Sequence, residues 1–252
     1  MLCTDKRDRE GIMRIGRICG LALQHMLAHV QPGISTLELD EIGATFLRQH
    51  RAISAPKKAY NFPSWTCISV NDEVAHGVPS HKRIVQAGDV VNIDVSAVLD
   101  GYWADTGATV LVPPAKPAHV ALCQATINAL HSAIASARAG VPVYEIGRTI
   151  EAHAKRGGYR VFRELGGHGV GRHIHEDPNV YNYFTRQVSD RLVNGLVLTV
   201  EPFFNLGRGR LYTAKDKWTL KSVDRSISAQ YEHTIIIQDD KPILCTQVEG
   251  GH

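Results

Sequence analysis

The sequence of 252 residues has few of the features that mark a disulfide-stabilised or membrane-embedded protein. Its five cysteines are odd in number and widely spaced, and no two of them form a C-x-x-C pair. That pattern argues against a disulfide framework and against a structural zinc knuckle. No run of 18 apolar residues could span a membrane, and the charged start, Met1 to Glu10, has no apolar segment of the signal-peptide kind. We therefore expect a protein of the reducing cytoplasm.

An excess of one charge is also missing, since 28 Lys and Arg stand against 25 Asp and Glu, a net charge of +3. The basic residues are dispersed, and their single modest cluster, Lys6 to Arg17, is most simply the solvated face of a helix. The alternative interpretation of this cluster is a transient contact with the ribosome. We expect no binding to DNA, no membrane partner, and a monomer.

The apolar residues, 44% of the chain, are numerous enough for a substantial core. Their periodicity predicts helices over residues 8–30, 36–51, 118–139 and 143–157. Short strands are predicted over residues 66–70, 90–98, 102–112, 196–201, 218–222, 231–238 and 242–246, and a loop over residues 54–65. Because helices and strands do not alternate strictly, this order favours an α+β fold with mainly antiparallel strands and helices on one face.

One internal echo suggests a duplication. Residues 88–94 (GDVVNID) resemble residues 195–201 (GLVLTVE), each with a glycine, an apolar strand and a carboxylate six places on. A His-Gly-Val sequence precedes each of them, at His76 and at His168. Chance similarity between short strands is the alternative explanation. The echo predicts a single domain over residues 1–252, built from two pseudo-symmetric halves of about 1–115 and 116–252, with a shared site at their interface.

A predicted hairpin brings two aspartates together. Asp100-Gly101 is a strong two-residue turn signal, and a turn there pairs Ser96 with Asp105. Side chains alternate along a strand, so Asp94 lies on the same face as Ser96. Asp94 and Asp105 are then diagonal neighbours, with Cβ atoms within roughly 7–8 Å. Since a carboxylate in so apolar a strand is costly without a partner, this pair predicts a metal site.

Further candidate ligands lie in the second half of the chain. His168 stands among glycines that let its imidazole approach an ion closely, while Glu201 ends one apolar strand and Glu232 begins another. Each of these alone is as easily a strand-end charge or a loop histidine. Together with Asp94 and Asp105 they make an oxygen-rich set with one nitrogen, which suits Mn, Fe(II) or Co.

Four carboxylates nearly balance the charge of two divalent ions. Two such ions, roughly 3.5–4 Å apart, can share a bridging water, lower its pKa and stabilise a tetrahedral intermediate. Water attack on an amide also needs a proton acceptor and hydrogen-bond donors for the oxyanion. Glu201 is the natural acceptor, and His76 and His175 are candidate donors. The residues therefore predict a two-metal hydrolase.

Seven ordered motifs make the chain resemble the type I methionine aminopeptidases, and the resemblance runs from roughly residue 8 to residue 246. They are residues 67–77 (CISVNDEVAHG), 91–95 (VNIDV), 105–107 (DTG), 167–171 (GHGVG), 175–178 (HEDP), 199–202 (TVEP) and 228–234 (SAQYEHT). The resemblance implies the pita-bread fold, in which two pseudo-symmetric halves share a central antiparallel sheet with flanking helices. It also implies removal of the initiator methionine from nascent polypeptides and peptides.

The same resemblance implies a role for each matching residue. Asp94 would bind one ion through both oxygens, Asp105 and Glu232 would bridge two ions, and His168 and Glu201 would complete the second. Glu201 would also move the proton, while His76 and His175 would contact the scissile amide. The ions would be Co, Mn or Fe(II), with Zn and Ni as further candidates. Two other groups of residues are implied, the methionine pocket at Phe62, Cys67 and Trp218, and a Na or K site formed by Asn71, Ser228 and the backbone carbonyl of Glu73.

Three positions depart from the family pattern. Pro56 stands where a cysteine is usual, Ala59 where a tyrosine is usual, and Ile174 where a phenylalanine is usual. Loss of two aromatic rings should widen the side-chain pocket, and each lost contact is worth roughly 1–3 kcal/mol of discrimination. We therefore expect the hydrolytic chemistry to be better preserved than a strict preference for methionine.

Two other functions remain as alternatives. One is a proline-directed peptidase of the same fold, such as prolidase or aminopeptidase P. Those enzymes usually carry an extra N-terminal domain, and only about 65 residues precede the first predicted core strand here. The other is a catalytically inactive binding protein of the same fold, which should have lost metal ligands, whereas all five are present.

Overall fold

The computed structural model describes residues 1–250, so the last two residues of the predicted domain lie outside the described part. Five helices occur in this part: α1 (Lys6–Leu27), α2 (Thr36–Gln49), α3 (Ala55–Tyr60), α4 (Pro117–Ser136) and α5 (Tyr144–Gly157). The strands of the first half are β1 (Ile53–Ser54), β2 (Cys67–Val70), β3 (Glu73–Ala75), β4 (Val90–Leu99) and β5 (Tyr102–Leu111). The remaining strands are β6 (Arg160–Val161), β7 (Gly166–Gly169), β8 (Glu176–Tyr181), β9 (Val197–Val200), β10 (Phe203–Asn205), β11 (Leu211–Thr213), β12 (Leu220–Ser222), β13 (Ser228–Gln230), β14 (Glu232–Ile236) and β15 (Ile243–Leu244).

The four predicted helices form close to their expected bounds. Helix α2 has the full capping box, in which the Ser35 hydroxyl accepts from the Glu38 N–H and the Glu38 carboxylate accepts from the Ser35 N–H. Helix α1 begins after Asp5, whose carboxylate accepts from the Asp8 N–H. Among the described residues, no helix is both long and apolar enough to cross a membrane.

The loop predicted over residues 54–65 is wrong in its first half, because residues 55–60 form the short helix α3. Its start has all the ordinary signals. The Ser54 hydroxyl accepts from the Lys57 N–H, and Pro56 lies in the first turn, where its fixed φ and missing N–H cost nothing. Asn61 ends the helix in the left-handed conformation.

The main sheet has nine strands, and every recorded pairing in it is antiparallel. Its order is β1-β4-β5-β14-β9-β7-β8, with β2 also paired to β4 and β15 to β14. The four central strands place β4 and β5 of the first half beside β14 and β9 of the second. This arrangement supports pseudo-twofold symmetry, while the exact halves of 1–115 and 116–252 stay a prediction.

The hairpin of β4 and β5 has the predicted register. Leu99 pairs with Tyr102 and Ser96 with Asp105. Asp100 and Gly101 both have positive φ, 50° and 81°, as the two-residue hairpin turn requires. Because side chains alternate along a strand, Asp94, Ser96 and Asp105 share one face of the hairpin.

The opposite face of the hairpin is covered by helix α1, which packs on β4 and β5. Ile93 and Val95 of β4 are fully buried there, in one cluster with Ile15 of α1. The helix also packs tightly against the segment at Cys245, since a Cβ on Gly16 would be 2.5 Å from the Cys245 carbonyl oxygen. Helix α1 thus covers the apolar face of the hairpin, and the polar face is available to form a site.

Candidate metal centre

The five predicted ligands come from neighbouring strands of the main sheet. Taken in sheet order they are Asp94 on β4, Asp105 on β5, Glu232 on β14, Glu201 just after β9, and His168 on β7. All five line one cavity of about 260 Å³. Residues that are as far as 138 positions apart in the sequence therefore converge because their strands are adjacent.

The ligand atoms lie at distances that suit a shared cation. His168 Nε2 is 3.8 Å from Asp105 Oδ2 and 3.6 Å from Glu201 Oε1. Ligand atoms of Asp105, His168 and Glu232 all lie within 4.8 Å of one another. The second carboxylate oxygen of Asp105, Oδ1, is buried without a hydrogen-bond donor. A buried carboxylate oxygen without a partner is costly, so the residues present fit a cation at this point.

Gly107 allows the Gln230 side chain to approach β5 closely. It pairs with Asp94 on one side and with Glu232 on the other. A Cβ at this position would lie 2.5 Å from the side-chain oxygen of Gln230, so the glycine allows the Gln230 amide to pack directly against β5 beside these carboxylates.

Burial of four carboxyl groups in one cavity raises their pKa values. Desolvation raises the pKa of Asp105 to about 6. Desolvation, together with repulsion from Asp105, raises the pKa values of Asp94, Glu201 and Glu232 well above the usual range. Such groups ionise readily only when a positive charge compensates them, and divalent ions would supply it.

The imidazole of His168 is held in the neutral form, which can bind a metal ion. Burial, followed by the charge of nearby His175, lowers its pKa to about 3. Its Nδ1 lies 3.0 Å from the carbonyl oxygen of Gly169. Because a carbonyl only accepts, Nδ1 carries the proton and Nε2 presents a lone pair to the cavity. One such nitrogen among four carboxylates is a donor set for Mn, Fe(II) or Co.

Two side-chain amides form a chain of hydrogen bonds that ends at the carboxylate of Glu232. The Asn92 side-chain amide donates to Gln230 Oε1 at 2.7 Å, and Gln230 Nε2 donates to Glu232 Oε2 at 3.0 Å. On the other side of the cavity, the Thr199 hydroxyl accepts from the His168 N–H and donates to Glu201 Oε1. Groups of this kind hold ligands in their binding orientation.

His76 and His175 both line the cavity, as their predicted role requires. His76 follows β3 and has the left-handed φ of 53°, which turns the chain at the cavity wall. The ring of His175 packs on that of His168 with a centroid distance of 4.1 Å. Desolvation lowers the pKa values of both His76 and His175, so each is a neutral imidazole near pH 7 and can donate one N–H.

The predicted walls of the methionine pocket also line the cavity. Phe62 and Trp218 meet edge to face, with ring centroids 5.2 Å apart and planes at 88°. Cys67 on β2 pairs directly with Asp94 on β4. An apolar side chain bound against Phe62, Cys67 and Trp218 would therefore have its backbone next to the carboxylate of Asp94.

The three unusual positions do not all reach the cavity. Pro56 and Ile174 line it, as expected, whereas Ala59 is not among its lining residues. Tyr60, one position further on, lines the cavity instead and hydrogen-bonds His175. Sequence reasoning missed Tyr60 because residues 54–65 were predicted as a loop, which gives no facing direction. The spacing of Pro56 and Tyr60, four residues apart, was the available signal once a helix was assumed.

The residues predicted to hold a monovalent cation lie outside the cavity lining. The Asn71 side chain donates to Asp89 Oδ1 and accepts from the Val90 N–H. The Glu73 carboxylate accepts from the Val70 N–H. Ser228 lies on β13, where it pairs with Asn205 on β10. These contacts neither require nor use a cation, and the cation site stays a prediction.

Comparison with protein families places this geometry in a known group. The sequence model of metallopeptidase family M24 matches residues 10–239. Methionine aminopeptidase 2 of Bacillus subtilis is 43% identical over 249 residues, which cover 98% of this chain and all of that protein.

Solved structures agree with the sequence comparison. The crystal structure of methionine aminopeptidase from Thermotoga maritima superposes with a TM-score of 0.95 at 30% identity and covers 98% of this chain and 100% of that one. A prolidase from Pyrococcus furiosus has a TM-score of 0.79 at 21% identity, and the match spans 98% of this chain but only 66% of the prolidase. The prolidase likeness shows the shared fold alone.

Proposed function

Because the chain belongs to metallopeptidase family M24, we propose that it is a methionine aminopeptidase with the pita-bread fold, which removes the initiator methionine from nascent proteins and peptides. One observation carries this proposal. The five predicted ligands line the same cavity as Phe62, Cys67 and Trp218. A curated relative whose match covers 98% of this chain is itself named a methionine aminopeptidase.

Asp94, Asp105, His168, Glu201 and Glu232 would hold two divalent ions. Asp105 and Glu232, on neighbouring central strands, would share in holding the ions with Asp94 on one side of them and with Glu201 and His168 on the other. Ions held there supply Lewis-acid activation of water and of the peptide carbonyl. Mn, Fe(II) and Co are the best candidates for this donor set, followed by Zn and Ni.

Glu201 acts as the proton acceptor. Its carboxylate faces His168 across 3.6 Å and receives a hydrogen bond from the Thr199 hydroxyl. It takes the proton of the attacking water and returns it to the amine that leaves.

His76 and His175 bind the reacting amide from the remaining walls. Neutral imidazoles with one N–H each can donate to the carbonyl oxygen, where negative charge grows as water attacks. The methionine side chain lies between Phe62, Cys67 and Trp218, where its flexible thioether contacts a thiol and two aromatic rings. Pro56 and Ile174 border the same space, so the strictness of the methionine preference is set by them as well.

A proline-directed peptidase is the second candidate, favoured by the shared fold of the prolidase. The coverage is against it, since the match spans only 66% of that prolidase and the whole of the Thermotoga enzyme. An inactive binding protein is the third candidate, and the complete ligand set opposes it.

The setting of the proposed activity follows from its substrate. The enzyme acts in the cytoplasm on the amino termini of nascent chains, which its five free cysteines suit. It works as a monomer, and the basic residues of helix α1 would allow a transient contact with the ribosome. A Na or K ion at Asn71, Glu73 and Ser228 would brace the turn between β2 and β3.

A peptide panel tests the proposal. Met-Gly-Met and its variants in the first residue are assayed beside Xaa-Pro peptides, with Mn, Fe(II), Co, Zn or Ni added to dialysed protein. We expect release of free methionine that depends on metal, and Asp94→Ala serves as the inactive control. Cleavage of the Xaa-Pro peptides alone would favour the prolidase alternative, and activity without any metal would refute the two-metal mechanism.

A further inference from the structure

Tyr60 contacts a residue of the proposed reaction, although no sequence motif includes it. Its hydroxyl lies 2.5 Å from Nδ1 of His175, and the two rings are tilted at 45° with centroids 5.6 Å apart. The pair spans 115 residues of sequence. Tyr60 stands at the mouth of the cavity, where 45% of its surface remains exposed.

Helix α3 explains why Tyr60 reaches His175. Pro56 and Tyr60 are four residues apart in this helix and face the cavity together. The helix ends at once, because Asn61 turns the chain through the left-handed conformation and Phe62 then enters the apolar wall. The carbonyl of Pro63 accepts from the Lys57 ammonium, which ties the following loop back to the helix.

The direction of this hydrogen bond decides the form of His175. Burial and the charge of Asp105 raise the pKa of Tyr60, so its hydroxyl keeps its proton and can donate. A phenol is a better donor than a neutral imidazole, and the bare ring nitrogen is the better acceptor. Nδ1 of His175 therefore accepts from Tyr60, and the single imidazole proton resides on Nε2.

We propose that Tyr60 is a positioning residue for the hydrolysis, whose hydroxyl holds His175 in the tautomer and orientation that present Nε2–H to the substrate. The inference rests on the proposed function and adds a residue to it. Without the hydroxyl, both tautomers of His175 become accessible and its ring is free to rotate. Donation to the developing oxyanion then weakens, while the walls of the methionine pocket stay unchanged.

A kinetic comparison of variants tests this role. Tyr60→Phe keeps the ring and removes only the hydroxyl. We expect kcat for Met-Gly-Met to fall about five- to tenfold, the worth of one hydrogen bond, with KM within twofold of wild type. Tyr212→Phe is the matched control, because Tyr212 is an exposed tyrosine of β11 outside the cavity, and its kinetics should equal those of wild type.

A double-mutant cycle separates positioning through His175 from a direct effect on the substrate. In a His175→Ala background, Tyr60→Phe should have no further effect on kcat. An equal loss of kcat in both backgrounds, or a change in KM alone, would overturn the inference and make Tyr60 a substrate-contact residue. Wild-type protein that releases no methionine would refute the proposed function instead.

The tautomer of His175 can also be observed directly in the wild-type protein, without an activity assay. In zinc-loaded wild-type protein with ¹⁵N-labelled histidine, the His175 resonances should show a protonated Nε2 and a bare Nδ1. In Tyr60→Phe the two nitrogens should move toward an average of both tautomers. A protonated Nδ1 in the wild-type protein would contradict the proposed hydrogen bond.

Discussion

The amide chain behind Glu232 offers a sharp test of how the metal site is held. In the protein, Gln230 receives a hydrogen bond from Asn92 and gives one to Glu232 Oε2 at 3.0 Å. Gln230→Ala removes this donor while its backbone contacts with Thr109 can persist. The carboxylate of Glu232 then loses the hydrogen bond that it accepts from Gln230.

The size of the effect follows from the charge of the acceptor. A hydrogen bond to a charged group contributes about 1.5–3 kcal/mol, and loss of a group that orients a metal ligand typically weakens metal binding about 10- to 100-fold. We expect a weakening of Mn²⁺ binding in this range. The substitution should disturb the Asn92 side chain less, because its amide nitrogen keeps two acceptors. It lies 3.3 Å from the Thr109 hydroxyl and 3.3 Å from the Gln230 carbonyl oxygen.

Isothermal titration of metal-free protein with Mn²⁺ measures the effect. Gln124→Ala is the matched control, since Gln124 is an exposed glutamine of α4 that contacts only Asn128 among the recorded side-chain bonds of residues 1–250. A dissociation constant for Gln230→Ala within twofold of wild type, in protein that melts normally, would refute the reasoning.

Three further predictions concern the same cavity. Glu201→Ala should lower kcat by about 10²–10⁴-fold with the fold retained, as peptide kinetics and circular dichroism would show, and an active variant would contradict its role as proton acceptor. His76→Ala should lower kcat more than it raises KM, and a change in KM alone would reassign His76 to ground-state binding. Because burial raises the pKa of Glu201, the folded metal-free protein binds more protons than the unfolded chain above the usual pKa of that carboxyl, and stability is lost as the pH rises. Glu201→Gln should therefore raise the melting temperature of metal-free protein more at pH 7.5 than at pH 5. The histidines contribute to stability in the opposite direction, but they are present in both proteins, so their contribution cancels when the variant is compared with wild type. Equal gains at the two pH values would show that Glu201 has an ordinary pKa.

Local patterns were sufficient for much of the fold. The Asp100-Gly101 turn and the two-residue repeat of the strands predicted that Asp94 and Asp105 share a face, and the register confirms it. The predicted start of α2 at residue 36 is also correct, and Ser35 caps the helix there. Turn chemistry and strand alternation act over a few neighbouring residues, so they can be recognised without knowledge of the rest of the chain.

Short elements and long-range contacts could not be predicted from local patterns. Helix α3 has only six residues, too few for an apolar repeat to be distinguished from a loop. The expectation that Ala59 opens the pocket came from comparison with the family pattern, but Ala59 does not line the cavity, and Tyr60, the next residue of α3, does. Likewise, no pattern within residues 228–234 shows that Gln230 meets Asn92, because that contact depends on β13 lying close to β4 and β5.

The sequence by itself therefore determined the ligand types, their places at strands, and the shortage of paired cysteines and long apolar segments. Only the tertiary structure decided how those places meet. The order β4-β5-β14-β9-β7 brings five distant side chains into one cavity, and the end of α3 sets Tyr60 against His175. The reason is physical: strand periodicity and capping depend on adjacent residues, whereas strand order and cavity shape depend on packing across the whole molecule.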